Sequence, residues 1–203
     1  IHDIALQNLP VRLCMDRAGL SGDDGPTHHG LFDIGYLRHI PDLIHMQPKD
    51  EDEFVDMIHT MAAYDDGPTC IRYPRGAGVG AKPKATPEIL TIGEAELLQE
   101  GTDVCLIGLG HFFEIAVETK DALEAQGYSV TLINPRWIKP LDANMIKKYA
   151  AQSKVVCTFE DHVILHGFGA SVIELLHTSA IYKPVERIAW PDEFVEHGKV
   201  PTL

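Results

Sequence analysis

The sequence predicts an α/β protein with largely parallel sheets flanked by helices, divided into two modules at residues 1–80 and 81–203. Two observations carry that expectation. Short apolar runs of strand length alternate with stretches of helical period, the pattern left by parallel strands joined through crossover helices. Residues 76–87 interrupt the alternation with Gly76, Gly78, Gly80, Pro83 and Pro87 set among Lys82 and Lys84, and no apolar period. With 203 residues, 45% of them hydrophobic, the chain has the length of one large domain or two small ones, at roughly 100 to 150 residues each.

The elements follow in order. Residues 1–8 read as the end of a helix. Residues 9–15 form a mostly apolar run, introduced by Pro10 and followed by glycines, which suits a buried parallel strand delivering its C-terminal end to a site. Residues 34–44 are irregular, and Ile44-His45-Met46 is a further short strand. Asp50 with Glu53 makes a capping-box pattern, and Phe54, Met57, Ile58 and Met61 keep helical spacing after it. Asp65-Asp66-Gly67-Pro68 ends that helix, and a strand over 69–73 closes at Pro74-Arg75-Gly76. In the second module, strands over 95–98 and 104–109 are expected to pair across 99–103. A helix over 114–126 stops at Gly127, a suitable C-terminal cap. Strand 128–133, helix 142–151, strand 155–159, helix 169–177 and strand 185–189 continue the alternation.

Lys and Arg total 17 against 30 Asp and Glu, a formal net charge of −13. That balance opposes nonspecific attraction to nucleic acid or anionic lipid, so no nucleic-acid or membrane partner is expected. Any bound phosphate must be met by a local arginine cluster. No apolar run reaches the roughly 20 residues of a membrane span. Cys14, Cys70, Cys105 and Cys157 lie far apart in strand-like runs without metal spacing and read as small buried core residues in a reducing compartment. Ile1 stands where a Met would begin a protein, and 199–203 stop without a closing element, so the chain reads as a piece of a longer one.

One loop, residues 16–30, concentrates Asp16, Arg17, Asp24, His28, His29 and four glycines. Arg offers a planar fork for phosphate or carboxylate, His moves protons near neutrality, and a neighbouring Asp can orient an imidazole. Taken singly, these residues read first as Arg17 pairing with Asp16, Asp24 making a turn and a solvated His28. Arg72 and Arg75 end the strand over 69–73; if it neighbours the strand ending at Met15, both arginine-bearing ends share one edge, and a phosphate clamp becomes possible. The His162 to His166 spacing matches a zinc helix without its glutamate, Val163 standing instead. Gly167-Phe168-Gly169 ahead of a helix invites either an anion or close packing. Glu160-Asp161 suits a module interface without a catalytic role.

An ordered series of motifs extends through the whole chain. It comprises Leu9-Pro10-Val11, Asp16-Arg17-Ala18-Gly19, Asp24-Gly25-Pro26-Thr27-His28-His29-Gly30, Pro48-Lys49-Asp50, Asp66-Gly67-Pro68 and Ile71-Arg72-Tyr73-Pro74-Arg75-Gly76. It continues with Asn134-Pro135-Arg136-Trp137, Phe159-Glu160-Asp161, Gly167-Phe168-Gly169 and Pro191-Asp192-Glu193-Phe194. The series resembles the 1-deoxy-D-xylulose-5-phosphate synthases of the transketolase-like thiamine diphosphate family. The resemblance implies part of a pyrimidine-binding domain at 1–80 followed by a truncated transketolase C-terminal domain at 81–203. It implies condensation of pyruvate with D-glyceraldehyde 3-phosphate, with loss of carbon dioxide, for isoprenoid and thiamine biosynthesis. The carbanion chemistry belongs to the cofactor.

By resemblance, Arg17 and Arg75 hold the triose phosphate, His28 assists proton transfer at the substrate, and Asp24 supports it. His29 stands where Gln is common and receives no essential role; His111 and His166 stand where a small polar residue and a glycine are usual. The main thiamine diphosphate contacts and the magnesium site are expected upstream of Ile1, with no metal ligands in this chain. The implied partners are the N-terminal portion of the same enzyme and a second copy in a homodimer, in a bacterial cytoplasm or a plant plastid. The chain alone is then expected to be inactive. A non-catalytic subunit of a heteromeric assembly, or a sister enzyme such as transketolase, remains the alternative.

Overall fold

The computed structural model describes residues 1–200; the end of the expected unclosed tail, 201–203, lies outside them. Along the chain stand β1 (Arg12–Met15), α1 (Asp33–Leu37), β2 (Ile44–Met46), α2 (Glu51–Ala63), β3 (Thr69–Arg72), β4 (Glu96–Gln99), β5 (Val104–Gly108) and α3 (Phe113–Glu124). They are followed by β6 (Val130–Asn134), β7 (Trp137–Lys139), α4 (Ala143–Gln152), β8 (Val155–Val163), α5 (Phe168–Thr178) and β9 (Val185–Trp190).

The strands form two sheets, ordered β1-β3-β2-β7 and β4-β6-β5-β8-β9. Within the first, β1 and β2 both run parallel to β3, with Met15 beside Arg72. In the second, β6, β5, β8 and β9 are parallel and β4 is antiparallel at the edge. The α/β class with largely parallel sheets therefore holds.

Local chemistry explains the helix starts. Asp50 Oδ1 accepts the Glu53 amide at 2.8 Å, the forward half of the expected capping box, while Glu53 Oε2 reaches back to the Lys49 amide at 2.8 Å, one residue beyond the cap. Asp142 caps α4 through the Met145 amide at 2.9 Å and also takes the Ala95 amide at 3.0 Å.

Several expectations are corrected. β4 does not pair with β5, because β6 lies between them. Gly101 is pinned to β6, where Thr131 Oγ1 both accepts its amide at 2.9 Å and donates to its carbonyl at 2.8 Å, which carries β4 to the far side. Residues 1–8 make turns rather than a helix end, with bonds from Leu6 to Ile1 and from Asn8 to Ala5 that do not form an α-helical ladder. α1 occupies part of the stretch expected to be irregular. His162 lies in β8 and His166 has φ +58°, so the two never share a helix face. Cys70 and Cys105 are buried, but Cys14 is exposed on β1, an edge strand.

The halves interlock. β7, from the second half, completes the first sheet by pairing antiparallel with β2. Its Trp137 is fully buried among Ile44, Met46, Met57, Met61 and Ile71, and its indole donates to the Glu94 carbonyl at 3.0 Å. In the other direction, Ile34 of α1 packs into the core of Ile107, Leu109, Ile146, Phe168 and Val172. Each half thus buries a large apolar side chain of the other, worth about 1.5–3 kcal/mol per side chain.

Candidate active site

The parallel pairing of β1 with β3 sets the strand-end loops side by side. Loop 16–30 is closed at its neck, Gly19 and Gly30 exchanging backbone bonds of 2.9 and 2.8 Å. Gly30 is required there, since a β-carbon would lie 2.2 Å from the Arg17 carbonyl oxygen. Arg17 itself sits at φ +62°, a left-handed conformation uncommon outside glycine and frequent where a side chain must be aimed.

Arg17, Asp24 and Arg75 meet. Asp24 Oδ2 lies 2.6 Å from an Arg75 terminal nitrogen and accepts from Arg17 Nε at 3.1 Å; Arg17 also pairs with Asp16. The Arg17 hydrogen bond, aided by the Arg75 charge, holds the Asp24 carboxyl below its ordinary range. Arg75 further donates to the Ser21 carbonyl at 3.3 Å. Two guanidinium groups from separate strand ends therefore converge on one carboxylate, the geometry that two arginines would present to a phosphate.

His28 is exposed and its Nδ1 lies 2.9 Å from Thr27 Oγ1. The expected support by Asp24 is not formed, because that carboxylate is engaged by the arginines. His29, given no role from the sequence, is buried and structural: its Nδ1 accepts the Ser21 amide at 2.9 Å, leaving Nε2 to donate to the Glu196 carbonyl at 3.3 Å.

Arg72 does not join Arg75. It is fully buried, donating to Asp33 Oδ2 at 2.6 Å, Gln47 Oε1 at 2.6 Å, and the Gly30 and Asp161 carbonyls at 2.9 and 3.1 Å. A guanidinium so saturated holds the halves together and is not free for a ligand. His45 lies beside this group, also fully buried, with Nε2 4.0 Å from Asp33 and both ring nitrogens without a hydrogen bond; burial pushes its pKa down to about 3. Glu160 of β8 supplies the anion at the start of α5, accepting the Phe168 and Gly169 amides at 2.5 and 2.8 Å, and burial raises its pKa to about 7. The glycine-flanked helix start is thus filled by the chain's own carboxylate.

A pocket of about 90 Å³ opens at the β1 end, lined by Met15, Asp16, Ala18, Gly30, Phe32 and Tyr36 among others. That is well below the roughly 300–1,000 Å³ of ordinary small-molecule sites. Among the described residues, no group of three or more His, Cys, Asp or Glu is placed to hold a metal ion. The residues present thus offer one wall with cations for an anion, and do not fit the whole of a diphosphate with its metal.

Sequence reasoning missed the Arg72 network and the contact of His111 with Asp161, whose Nε2 and Oδ2 are 2.7 Å apart. Residues 39 and 50 positions apart carry no local signal of meeting; the sequence offered only Glu160-Asp161 at a strand end as suiting an interface.

Residues 1–79 match the transketolase pyrimidine-binding domain and residues 93–203 the transketolase C-terminal domain. Over its whole length the chain is 53% identical to 1-deoxy-D-xylulose-5-phosphate synthase of Acidobacterium capsulatum and 50% identical to that of Methylacidiphilum infernorum, covering 32% of each. It spans about a third of the length of these curated relatives. Among solved structures, a split-gene transketolase described as an inactive β4 tetramer aligns with a TM-score of 0.82 at 26% identity, over 95% of this chain and 60% of that one. A transketolase mutant from Pichia stipitis aligns at 0.71 and 17% identity, over 98% of this chain and 28% of that one, a likeness of fold alone. The chain belongs to the transketolase family, and within it is similar throughout to the 1-deoxy-D-xylulose-5-phosphate synthases.

Proposed function

We propose that this chain forms one wall of the active site of a thiamine diphosphate-dependent transferase that condenses pyruvate with D-glyceraldehyde 3-phosphate, releasing carbon dioxide and giving 1-deoxy-D-xylulose 5-phosphate. The observation that carries this reading is the convergence of Arg17 and Arg75 on a single anion at adjacent parallel strand ends. In this reading the triose phosphate takes the place of the Asp24 carboxylate between the two guanidinium groups. Displaced, Asp24 becomes available to His28, four residues along the same loop. His28, exposed and held lightly by Thr27, faces the substrate and handles a proton there.

Thiamine diphosphate and magnesium belong to this reading as groups held by an N-terminal portion outside this chain, and the enzyme is a homodimer. The domain division at 1–80 and 81–203, cytoplasmic placement, and inactivity of the chain by itself are part of the same proposal. No helix among the described residues is long and apolar enough to cross a membrane.

The test is the complete enzyme carrying Arg75→Ala. Loss of one charge-assisted contact lowers kcat/KM for the triose phosphate by about 10- to 150-fold, from a contribution of about 1.5–3 kcal/mol, while the KM for pyruvate is retained. Unchanged triose kinetics in both Arg75→Ala and Arg17→Ala removes the clamp. The likeness to a split-gene transketolase favours a second reading, a separately encoded subunit that acts beside a complementary chain. Intact mass of the native protein separates the two: one long polypeptide, or two.

A further inference from the structure

The second half touches the glycine loop through a charged group. Asp161 of β8 is 3% exposed, and its carboxylate lies so close to the loop neck that a β-carbon on Gly19 would stand 1.4 Å from Oδ2; Gly19 has φ +76°. His111, in the turn between β5 and α3, brings Nε2 to 2.7 Å from the same Oδ2, and the Trp190 indole at the end of β9 donates to Oδ1. The imidazole nitrogen and the carboxylate oxygen thus stand at ion-pair distance. The Asp161 carbonyl is itself held by Arg72 at 3.1 Å, and two residues on, the Val163 amide donates to the Leu31 carbonyl at 3.0 Å. Both ends of loop 16–30 are therefore seated on β8. Gly19 is two residues from Arg17, and the intervening Ala18 amide bonds to the Tyr73 carbonyl at 2.9 Å, near Arg75.

We propose that His111 and Asp161 are positioning residues: the pair clamps the Gly19 neck and thereby sets the aim of Arg17 toward the substrate's phosphate. The substrate half of this statement rests on the proposed function; the loop half does not. A carboxylate buried against glycine stays in place when polar groups meet both of its oxygens, and His111 Nε2 is the group at ion-pair distance from the oxygen that faces the loop. The His111 side chain is 30% exposed, while its Nδ1 is buried without a hydrogen bond.

The experiment uses the complete enzyme with His111→Ala, His111→Gln and Asp161→Asn, read by hydrogen exchange of the peptide covering 17–30 and by steady-state kinetics. His111→Ala raises exchange in that peptide about tenfold with α3 and β5 unchanged. It also raises the KM for the triose phosphate about fivefold, with the pyruvate KM held. His111→Gln, which keeps an N–H donor, recovers most of both, and Asp161→Asn resembles His111→Ala. Unchanged loop exchange in both His111→Ala and Asp161→Asn overturns the positioning role, as does His111→Gln behaving like His111→Ala. If exchange rises as expected but the wild-type enzyme does not use triose phosphate, the clamp stands and the substrate assignment falls.

Discussion

Arg72 and Arg75 lie three residues apart at the end of one strand and meet opposite environments. Arg72 points into the seam between the halves, where it has no solvent exposure and its donors are matched by Asp33, Gln47 and two carbonyls. Arg75, past the turn at Pro74, has half its side chain in water and shares one carboxylate with Arg17. A guanidinium whose desolvation is fully compensated cannot be redirected without leaving its partners buried and unpaired. One that is itself half in water, held by a shared carboxylate and one carbonyl, can exchange that carboxylate for a ligand anion at little cost. The same residue type is a structural clamp in one place and, in the proposed reading, a binding group in the other, and the number of satisfied donors separates them.

The largest expected effect attacks the buried side of this contrast. Arg72→Met strands Asp33 in the interior and is expected to destabilise the protein by about 3–5 kcal/mol, measured by denaturant unfolding. Arg75→Ala is expected to stay within about 1 kcal/mol of wild type. Equal losses for the two would erase the distinction. On the catalytic side, His28→Ala is expected to reduce kcat by about 10²- to 10⁴-fold with a smaller change in KM; an unaltered maximal rate would remove its proton-handling role.

The smallest effect concerns His45. Its pKa is depressed in the fold from 6.5 to about 3, chiefly by burial, so the neutral ring is the folded form. Its contribution to stability is complete above pH 6.5 and is lost as the pH falls toward 3, at about 1.4 kcal/mol per pH unit. Unfolding curves at pH 7 and pH 5 should show His45→Gln losing less stability than wild type over that interval. Parallel losses would place the acid sensitivity on other groups.

The α/β class and most strand positions were legible in the sequence because each rests on local period, whereas the adjacency of β1 with β3, which α1, β2 and α2 separate along the chain, entered only as a condition. The loop at 16–30 was legible for the same reason, since glycines and charged side chains sit together there. What could not be read depends on distant pairing. β7 crosses back to the first sheet, β4 is displaced by β6, and β8 runs on through Glu160, Asp161 and His162 although those residues are polar. Arg72 and Arg75 look alike in a linear reading, and only the direction of the chain after β3 assigns them different tasks. The motif series supplied the expected roles of Arg17, Arg75 and His28, but not the fact that Asp24 sits between the two arginines.

The most direct measurement compares D-glyceraldehyde 3-phosphate with unphosphorylated D-glyceraldehyde as acceptor, in the complete enzyme and in its Arg17→Ala/Arg75→Ala variant. The account predicts that the wild type strongly prefers the phosphorylated acceptor, and that the double variant loses most of this preference while its pyruvate KM is retained. A preference that survives removal of both arginines would contradict it.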